Sequence, residues 1–285
     1  MDKKTFLITG AGSGFGREVA LRLAASGDHQ VIAGVEIVAQ IQGLRDEARA
    51  RGLQLQVEKL DVTDEADRQR ARHWDIDVLL NNAGIAEGGS SVDIPADNLR
   101  RQFEVNVFGP LLLSQIVARR MIARRSGRIV FMSSVAGLTV DPFTGAYSGS
   151  KHAVEAIAEA LRSELAEFGI EVATVNPGPF LTGFNDRMFE TWRHWQDEPA
   201  QRVFDYEKLA FPHRQYDPEP VFETTLQVLL ASDPPGRSVI PAALVDQVRK
   251  QQAGSWSRKV ADGLGEQPEL VRAAYELTPE TPVEN

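Results

Sequence analysis

The amino-acid sequence predicts a single-domain α/β protein built on a doubly wound parallel sheet. Short β-branched runs alternate with longer segments of helical periodicity, which is typical of βαβ units. A cluster of glycines lies where the first predicted strand turns into the first predicted helix, and the connections stay short as far as residue 177. At 285 residues, the chain is long enough to bury a sizeable core.

The predicted strands and helices follow one another in a regular order. The first strand, Thr5–Thr9, leads into a helix that ends at Ala25, just before Gly27, because glycine commonly follows a helix C-terminus. The later strands are predicted at Gln30–Val35, Leu55–Leu60, Asp77–Leu80, Arg128–Ser133, Glu171–Val175 and Ser238–Ile240, and the later helices at Ile37–Arg51, Asn98–Arg125, Tyr147–Phe168 and Pro218–Ala231.

Residues 180–216, the aromatic-rich segment, interrupt this order. They hold nine of the chain's 21 aromatic side chains. The sequence therefore predicts one domain over residues 1–260 in which this segment is an insertion. Residues 261–285 are polar, and we expect them to form a frayed C-terminal tail.

Composition narrows the classes of partner. With a net charge of −9, the protein would be repelled by nucleic acid and by an anionic membrane, so we expect neither as a partner. The chain has no cysteine and its five histidines show no metal-binding spacing, so no metal site is expected. The N-terminus lacks the apolar run of a signal peptide, and no run of 18 apolar residues follows, so a cytoplasmic location is expected.

Residues 9–16 read TGAGSGFG at the first strand-to-helix turn. Glycines at 10, 14 and 16 let the backbone turn tightly and approach a pyrophosphate, whose charge the N–H groups at the helix N-terminus can meet. A tight turn without a ligand is the alternative for a glycine cluster taken alone. The strand before the cluster and the helix after it favour a dinucleotide site.

Further motifs follow in order. They are Asp61-Val62 after the third strand, NNAG at residues 81–84, Asn106, Ser134, YSGSK at residues 147–151 and Pro177-Gly178. Together with TGxxxGxG, this set resembles the short-chain dehydrogenase/reductase family over roughly residues 5–182. The resemblance implies a Rossmann-like fold, a nicotinamide cofactor and an oxidoreductase activity.

The resemblance also implies which residues contact the cofactor. The motifs that carry these residues each follow the carboxyl end of a predicted strand, where ligands bind in open α/β sheets. The pyrophosphate end would be lined by Gly10, Ser13, Gly14, Phe15 and Gly16, the adenine by Asp61 and Val62, the nicotinamide ribose by Asn82, Ala83 and Gly84, and the nicotinamide end by Pro177, Gly178 and Thr182.

Tyr147 and Lys151 are four residues apart on a predicted helix, hence on one face. A nearby ammonium favours the phenolate, so we expect Lys151 to lower the pKa of Tyr147. Taken alone, a Tyr/Lys pair at this spacing is in most cases a surface contact. The family resemblance implies that Tyr147 transfers the proton, that Ser134 positions the substrate oxygen and that Lys151 also binds the ribose.

Asn106 lies inside a predicted helix and has two interpretations. Its buried amide could satisfy backbone groups. The resemblance implies instead that Asn106 distorts the helix and holds a water that links Lys151 to solvent, which supports a proton relay.

The predicted reaction is hydride transfer between a nicotinamide and a ketone or secondary alcohol. The aromatic-rich segment falls where the family places its substrate loop. It favours an apolar or ring-containing substrate, or else its aromatic side chains pack as a flap; Leu138, Val140 and Phe143 could line the same pocket. No arginine stands out as a carboxylate clamp, so an acidic substrate is less favoured.

Two rival functions are a catalytically silent sensor or scaffold and a dehalogenase-like relative. The complete set of Ser134, Tyr147, Lys151 and Asn106 argues against the first. The intact Lys151 and the glycines at 14 and 16 argue against the second, because such relatives replace the lysine and rebuild the glycine loop.

Glu36 predicts NAD as the cofactor, with NADP as the alternative. A carboxylate at the end of the second strand can accept hydrogen bonds from the ribose 2′-hydroxyl and would repel a 2′-phosphate. A register uncertainty of one residue leaves Val35 as the other occupant of that position.

The helix Tyr147–Phe168 predicts a homo-oligomer, a dimer or a tetramer. It carries an apolar stripe and several alanines that permit close helix approach.

Overall fold

The structure is a computed structural model and describes residues 3–277. Its seven strands form one parallel sheet in the order β3-β2-β1-β4-β5-β6-β7. The doubly wound parallel sheet predicted from the sequence is therefore confirmed. The strands are β1 Thr5–Ile8, β2 Gln30–Val35, β3 Gln56–Lys59, β4 Val78–Asn81, β5 Gly127–Met132, β6 Ile170–Pro177 and β7 Arg237–Ile240.

Helices cover both faces of the sheet. They are α1 Gly14–Ala25, α2 Val38–Ala50, α3 Glu65–Arg70, α4 Ala96–Phe103, α5 Gly109–Arg124, α6 Gly145–Leu165, α7 Phe184–Met188, α8 Glu219–Leu230, α9 Leu244–Ser255 and α10 Glu269–Glu276. Side chains of α1, α2 and α8 pack into one buried cluster and those of α5 and α6 into a second. Within residues 3–277, no helix is both long and apolar enough to span a membrane.

The helix predicted at Asn98–Arg125 is divided into two. A π-helical turn, Glu104–Phe108, separates α4 from α5 and contains Asn106. The sequence also did not indicate α3 or α9. Both are mainly polar, and only Val248 of α9 is buried, so neither shows a clear apolar stripe.

The expectation of a frayed tail is wrong for α10. Ala274 is fully buried, and its carbonyl oxygen accepts a 2.8 Å hydrogen bond from Ala210 N. The Tyr275 hydroxyl accepts a hydrogen bond of 3.3 Å from Asp205 N. Packing against the aromatic-rich segment therefore orders this polar stretch; residues 278–285 of the predicted tail lie outside the described residues.

Most aromatic side chains of residues 180–216 pack into a third buried cluster, apart from the two clusters on the sheet. Phe189, Trp195 and Tyr206 are buried there, and Trp195 meets Tyr206 with ring centroids 5.0 Å apart. Residues Ile94, Phe143 and Ala146 supply the other wall of this cluster. The interpretation of the segment as a packed flap therefore accounts for most of its aromatic content.

Candidate active site

A cavity of about 690 Å³ opens at the carboxyl ends of the strands. It extends on both sides of the boundary between β1 and β4, where the strand order reverses and where ligands bind in such sheets. Of the residues predicted from the sequence, its lining includes Gly10, Ser13, Gly14, Phe15, Glu36, Asp61, Val62, Asn82, Ala83, Gly84, Ser134, Tyr147, Lys151, Pro177, Gly178 and Thr182. Gly16 and Asn106 are buried beside the cavity but do not line it.

Glycine is required at two positions of the turn after β1. Gly10 has φ +65°, and a Cβ there would lie 2.7 Å from the Ala83 Cα. At Gly16 a Cβ would clash with the Asn82 Nδ2 and would lie 2.7 Å from the Gly10 carbonyl oxygen. The glycine turn and the segment after β4 therefore fit closely against each other.

Thr9 holds the same two segments together, a role the sequence did not reveal. Its Oγ1 accepts hydrogen bonds of 3.0 Å from both Asn82 N and Ala83 N. The Asn82 Nδ2 in turn donates to the Thr9 carbonyl oxygen at 3.0 Å. These bonds position Asn82 and Ala83 at the cavity wall.

The first turn of α1 fits a pyrophosphate. Gly14 is exposed with φ +55°, and a Cβ there would meet no atom within 4 Å, so it faces open space at the cavity. The Ser13 side chain makes no capping hydrogen bond, so the N–H groups of the helix N-terminus are not capped by it. Phe15 anchors the turn by packing edge-on against Phe180 and Phe222.

The Asp61-Val62 turn is held by α3. Asp61 N donates a 2.9 Å hydrogen bond to the buried Asp67 Oδ2, and the buried Arg68 donates to the Val62 carbonyl oxygen at 2.7 Å. The Asp61 Oδ1 accepts from Thr63 N at 2.9 Å. Asp67 and Arg68 thus support the turn that the sequence predicts to contact the adenine, although their polar helix gave no signal in the sequence.

Ser134 follows β5 and is fixed at both its side chain and its backbone. Its Oγ donates to the Pro177 carbonyl oxygen at 3.2 Å and accepts from Ala136 N at 3.1 Å. Its own carbonyl oxygen accepts a 3.1 Å hydrogen bond from the Asn176 Nδ2. The end of β6 therefore determines where the hydroxyl lies.

Tyr147 and Lys151 both face the cavity from α6, as their spacing predicted. The Lys151 Nζ donates a 2.8 Å hydrogen bond to the Met132 carbonyl oxygen and lies 5.7 Å from the centroid of the Tyr147 ring.

The pKa values of this pair differ from the sequence expectation. Burial raises the pKa of Tyr147 to about 12, against an opposing hydrogen bond with Ser134. Burial lowers the pKa of Lys151 to about 8, although the negative charge of Glu155 opposes this. The expected lowering of the Tyr147 pKa by Lys151 is therefore not found in the structure, where burial raises this pKa and the hydrogen bond with Ser134 is what opposes the rise.

Asn106 shows features of both predicted interpretations. Its Oδ1 accepts from Ile85 N and its Nδ2 donates to the Ile85 carbonyl oxygen, both at 2.9 Å, so the amide satisfies backbone groups. It also lies in the π-helical turn, so the helix is distorted at this residue. A Cβ on Gly84 would lie 3.4 Å from the Asn106 Oδ1 and 3.7 Å from the Lys151 Nζ, which places the amide near the ammonium.

The structure resolves the register at the end of β2. Val35 is fully buried in the core, whereas Glu36 is exposed and lines the cavity. The cations nearest in sequence to Ser13 and to Glu36 both contact other groups. Arg17 pairs with Glu47, and Arg45 donates to the Val57 carbonyl oxygen at 2.8 Å.

From the aromatic-rich segment, Phe184 lines the cavity, and its ring centroid lies 5.8 Å from that of Tyr147. Leu138, Val140 and Phe143 are not among the lining residues, so their predicted place in the pocket is wrong.

Arg187 is a lining residue that the sequence did not indicate. It is exposed and projects from α7, beside Thr182 and Gly183. The sequence analysis, in which no arginine stands out as a carboxylate clamp, is therefore incomplete. Its position depends on how the segment folds back over the cavity, which no local pattern shows.

Residues 4–193 match the family model described as short chain dehydrogenase. An uncharacterized oxidoreductase of Bacillus subtilis, YusZ, is 39% identical over 64% of this chain and 67% of its own length. The NADPH-dependent 3-dehydrocapnine reductase of Ornithobacterium rhinotracheale is 34% identical over 58% of this chain and 61% of its own length.

Solved structures agree with this match. A short-chain dehydrogenase from Streptomyces avermitilis superposes with a TM-score of 0.72 at 28% identity, covering 90% of this chain and 94% of that one. An actinorhodin polyketide ketoreductase with NADPH gives a TM-score of 0.71 at 25% identity, covering 86% and 99%. The chain belongs to the short-chain dehydrogenase/reductase family of oxidoreductases, and its fold is the Rossmann-like α/β fold of that family.

Proposed function

We propose that this protein is a nicotinamide-dependent oxidoreductase that interconverts a ketone and a secondary alcohol, with Tyr147 as general acid and base. One observation carries the proposal. Ser134, Tyr147 and Lys151 line the same cavity as the glycine turn at residues 10–14. Groups that can hold a dinucleotide and groups that can move a proton therefore face one space.

The dinucleotide, when bound, supplies or accepts the hydride. Gly10, Ser13, Gly14 and the N-terminus of α1 would hold its pyrophosphate, and Lys151 its ribose. At neutral pH, Tyr147 is protonated because its pKa is about 12, so the phenol is in the form that donates a proton to a developing alkoxide. Ser134 would hold the same oxygen by a hydrogen bond, and Asn106 would support proton supply to Lys151.

The substrate in this proposal is apolar or contains a ring. Support comes from Phe184, which packs against Tyr147 at the cavity wall. The remaining aromatic side chains of the segment give little support, because most of them are packed among themselves.

NAD is proposed as the preferred dinucleotide on the strength of Glu36. A carboxylate at the cavity wall after β2 suits a free 2′-hydroxyl and repels a 2′-phosphate. The relatives favour the alternative, since one is NADPH-dependent by name and a similar structure contains NADPH. Relative activity with the two dinucleotides separates these alternatives.

Absorbance of the reduced nicotinamide, followed over a panel of ketones and alcohols, tests the proposed function. We expect turnover by the native protein and a loss of about a hundredfold or more in Tyr147→Phe, with dinucleotide binding nearly unchanged. Binding without turnover on any substrate would favour a silent sensor or scaffold. Substantial turnover by Tyr147→Phe would reject the role given to Tyr147.

A further inference from the structure

Glu155 is a buried carboxylate on α6, one helical turn after Lys151, and its side chain is only 9% exposed. Burial of an ionised carboxylate is costly unless hydrogen bonds compensate it. Its Oε1 accepts a 2.6 Å hydrogen bond from the Asn176 Nδ2, and its Oε2 accepts one of 2.8 Å from the Arg237 Nη2. Both oxygens therefore have defined partners, although Glu155 does not itself line the cavity.

Asn176 connects Glu155 to Ser134. It is fully buried at the end of β6, and its Nδ2 donates to the Ser134 carbonyl oxygen at 3.1 Å as well as to Glu155. A carboxylate can only accept hydrogen bonds, so it requires the amide to present its nitrogen. The Asn176 Oδ1 then accepts from the Thr174 Oγ1 at 3.1 Å. Glu155 is therefore one of three groups that orient this amide, together with the Ser134 carbonyl oxygen and the Thr174 hydroxyl, and it is the charged one.

Two neighbouring backbone groups also hold Ser134: its carbonyl oxygen accepts a 3.0 Å hydrogen bond from Gly137 N, and its Oγ accepts one of 3.1 Å from Ala136 N. The Ser134 hydroxyl donates to the carbonyl oxygen of Pro177, the residue that follows Asn176. A rotated or displaced Asn176 would therefore disturb the backbone hold on Ser134 and the neighbouring acceptor of its hydroxyl together.

Glu155 also acts on Lys151 through its charge. The titratable groups that face Lys151 are Tyr147 and Glu155 on α6, whereas the Met132 carbonyl and the Asn106 amide on the other sides are neutral. Arg237, at the start of β7, faces Glu155 and is 45% exposed. Burial lowers the pKa of Lys151, and the Glu155 carboxylate opposes that effect.

We propose that Glu155 is a positioning residue of the active site, which orients Ser134 through Asn176 and holds Lys151 as an ammonium by its negative charge. The inference rests on the proposed function. It has two parts that can be tested separately. The positioning arm is the hydrogen bond to Asn176, which depends on the length of the Glu155 side chain. The charge arm is the effect on Lys151, which depends on the negative charge of Glu155.

The charge arm is tested with Glu155→Gln, which keeps the length of the side chain and an acceptor oxygen. The measurement is kcat/KM against pH at saturating dinucleotide. If activity requires the Lys151 ammonium, it falls above the pKa of that group, and loss of the carboxylate should move this alkaline limb to lower pH by about one pH unit. Glu159→Gln is the matched control, since Glu159 lies on the same helix with a side chain that is 60% exposed.

The positioning arm is tested with Glu155→Asp and Asn176→Ala, each checked for folding by circular dichroism. Both keep a charge at position 155, but the shorter aspartate does not reach Asn176. We expect kcat to fall by about tenfold or more, because small displacements of a catalytic group are costly, while the alkaline limb stays in place. A native kcat in either folded variant overturns this arm.

If the alkaline limb of the kcat/KM profile lies at the same pH in Glu155→Gln as in the native protein, the charge arm is wrong. If that variant does not fold, Glu155→Asp still decides the proposal, since an altered limb with the charge retained would contradict it. A native protein without turnover on any carbonyl or alcohol would instead reject the proposed function, whatever the variants do.

Discussion

The Trp195 Nε1 donates a 2.6 Å hydrogen bond to the Oε1 of Glu87, and both side chains are buried. This bond ties the aromatic-rich segment to the chain that follows the NNAG motif. The Oε2 of Glu87 accepts from Asn98 at 3.1 Å, and Glu87 N donates to Gln102 at 2.6 Å. The Glu87 carboxylate thus joins the aromatic-rich segment to α4, and its backbone N–H adds a second bond to α4.

Trp195→Phe should therefore lower the stability of the protein. The substitution keeps most of the apolar ring but leaves a buried carboxylate oxygen without its donor, which costs about 1–3 kcal/mol. Thermal unfolding should show a melting temperature several degrees below that of the native protein. Trp192→Phe is the control, since Trp192 is only partly buried, and an equal loss in both variants would contradict a special role for the Glu87 bond.

The lowered pKa of Lys151 predicts a pH dependence of stability in the protein without added dinucleotide. In the folded state this pKa is about 8, against an ordinary value of 10.5, so between these values the unfolded state binds more protons. The contribution of Lys151 to the free energy of unfolding therefore rises as the pH increases from about 8 to 10.5. The total rise over this range is about 3 kcal/mol.

Denaturant titrations at pH 8 and pH 10 measure that difference. Lys151→Met removes the group, so the native protein should gain stability over this range relative to the variant. A constant difference between the two proteins would show that the Lys151 pKa is not lowered in the folded state.

The site shows where sequence patterns are informative. The glycine turn and Ser134 come from short motifs that follow strand ends, and the sheet brings those ends to one edge. Tyr147 and Lys151 come from a motif on α6 whose spacing places both on one face of the helix. The β-branched runs likewise predicted the strands to within a few residues.

Contacts distant in sequence could not be predicted in this way. Arg187 and Trp195 reach their places because residues 180–216 fold back over the sheet edge, and α10 is ordered only by packing against that segment. The raised pKa of Tyr147 depends on how completely the surrounding chain buries the phenol, which residue spacing alone does not reveal.

Glu36 should set the preference between the two dinucleotides. In the native protein we expect a higher kcat/KM with NAD than with NADP, because the carboxylate repels a 2′-phosphate. Glu36→Arg should shift the ratio toward NADP by about tenfold or more. Asp46→Arg is the control for the change in net charge, since Asp46 is exposed on α2 and does not line the cavity. Better use of NADP by the native protein would show that Glu36 does not set the preference.

The outer face of α6 predicts a homo-oligomer, a dimer or a tetramer. The predicted apolar stripe is used within the chain: Val154 and Leu165 are buried, and Ile157 packs against the same core. The stripe therefore gives no evidence for a partner. Ala156 and Ala160 are exposed, and such small side chains permit another helix to approach closely.

Ala156→Arg should dissociate this assembly, because a long charged side chain would prevent close approach of the partner helix. Light scattering at micromolar concentration should give a multiple of 31.4 kDa for the native protein and a lower mass for the variant. Gln42→Arg, on the exposed side of α2, should leave the mass unchanged. A native mass of one chain would reject the oligomer, and a native oligomer that persists in Ala156→Arg would place the interface on another face.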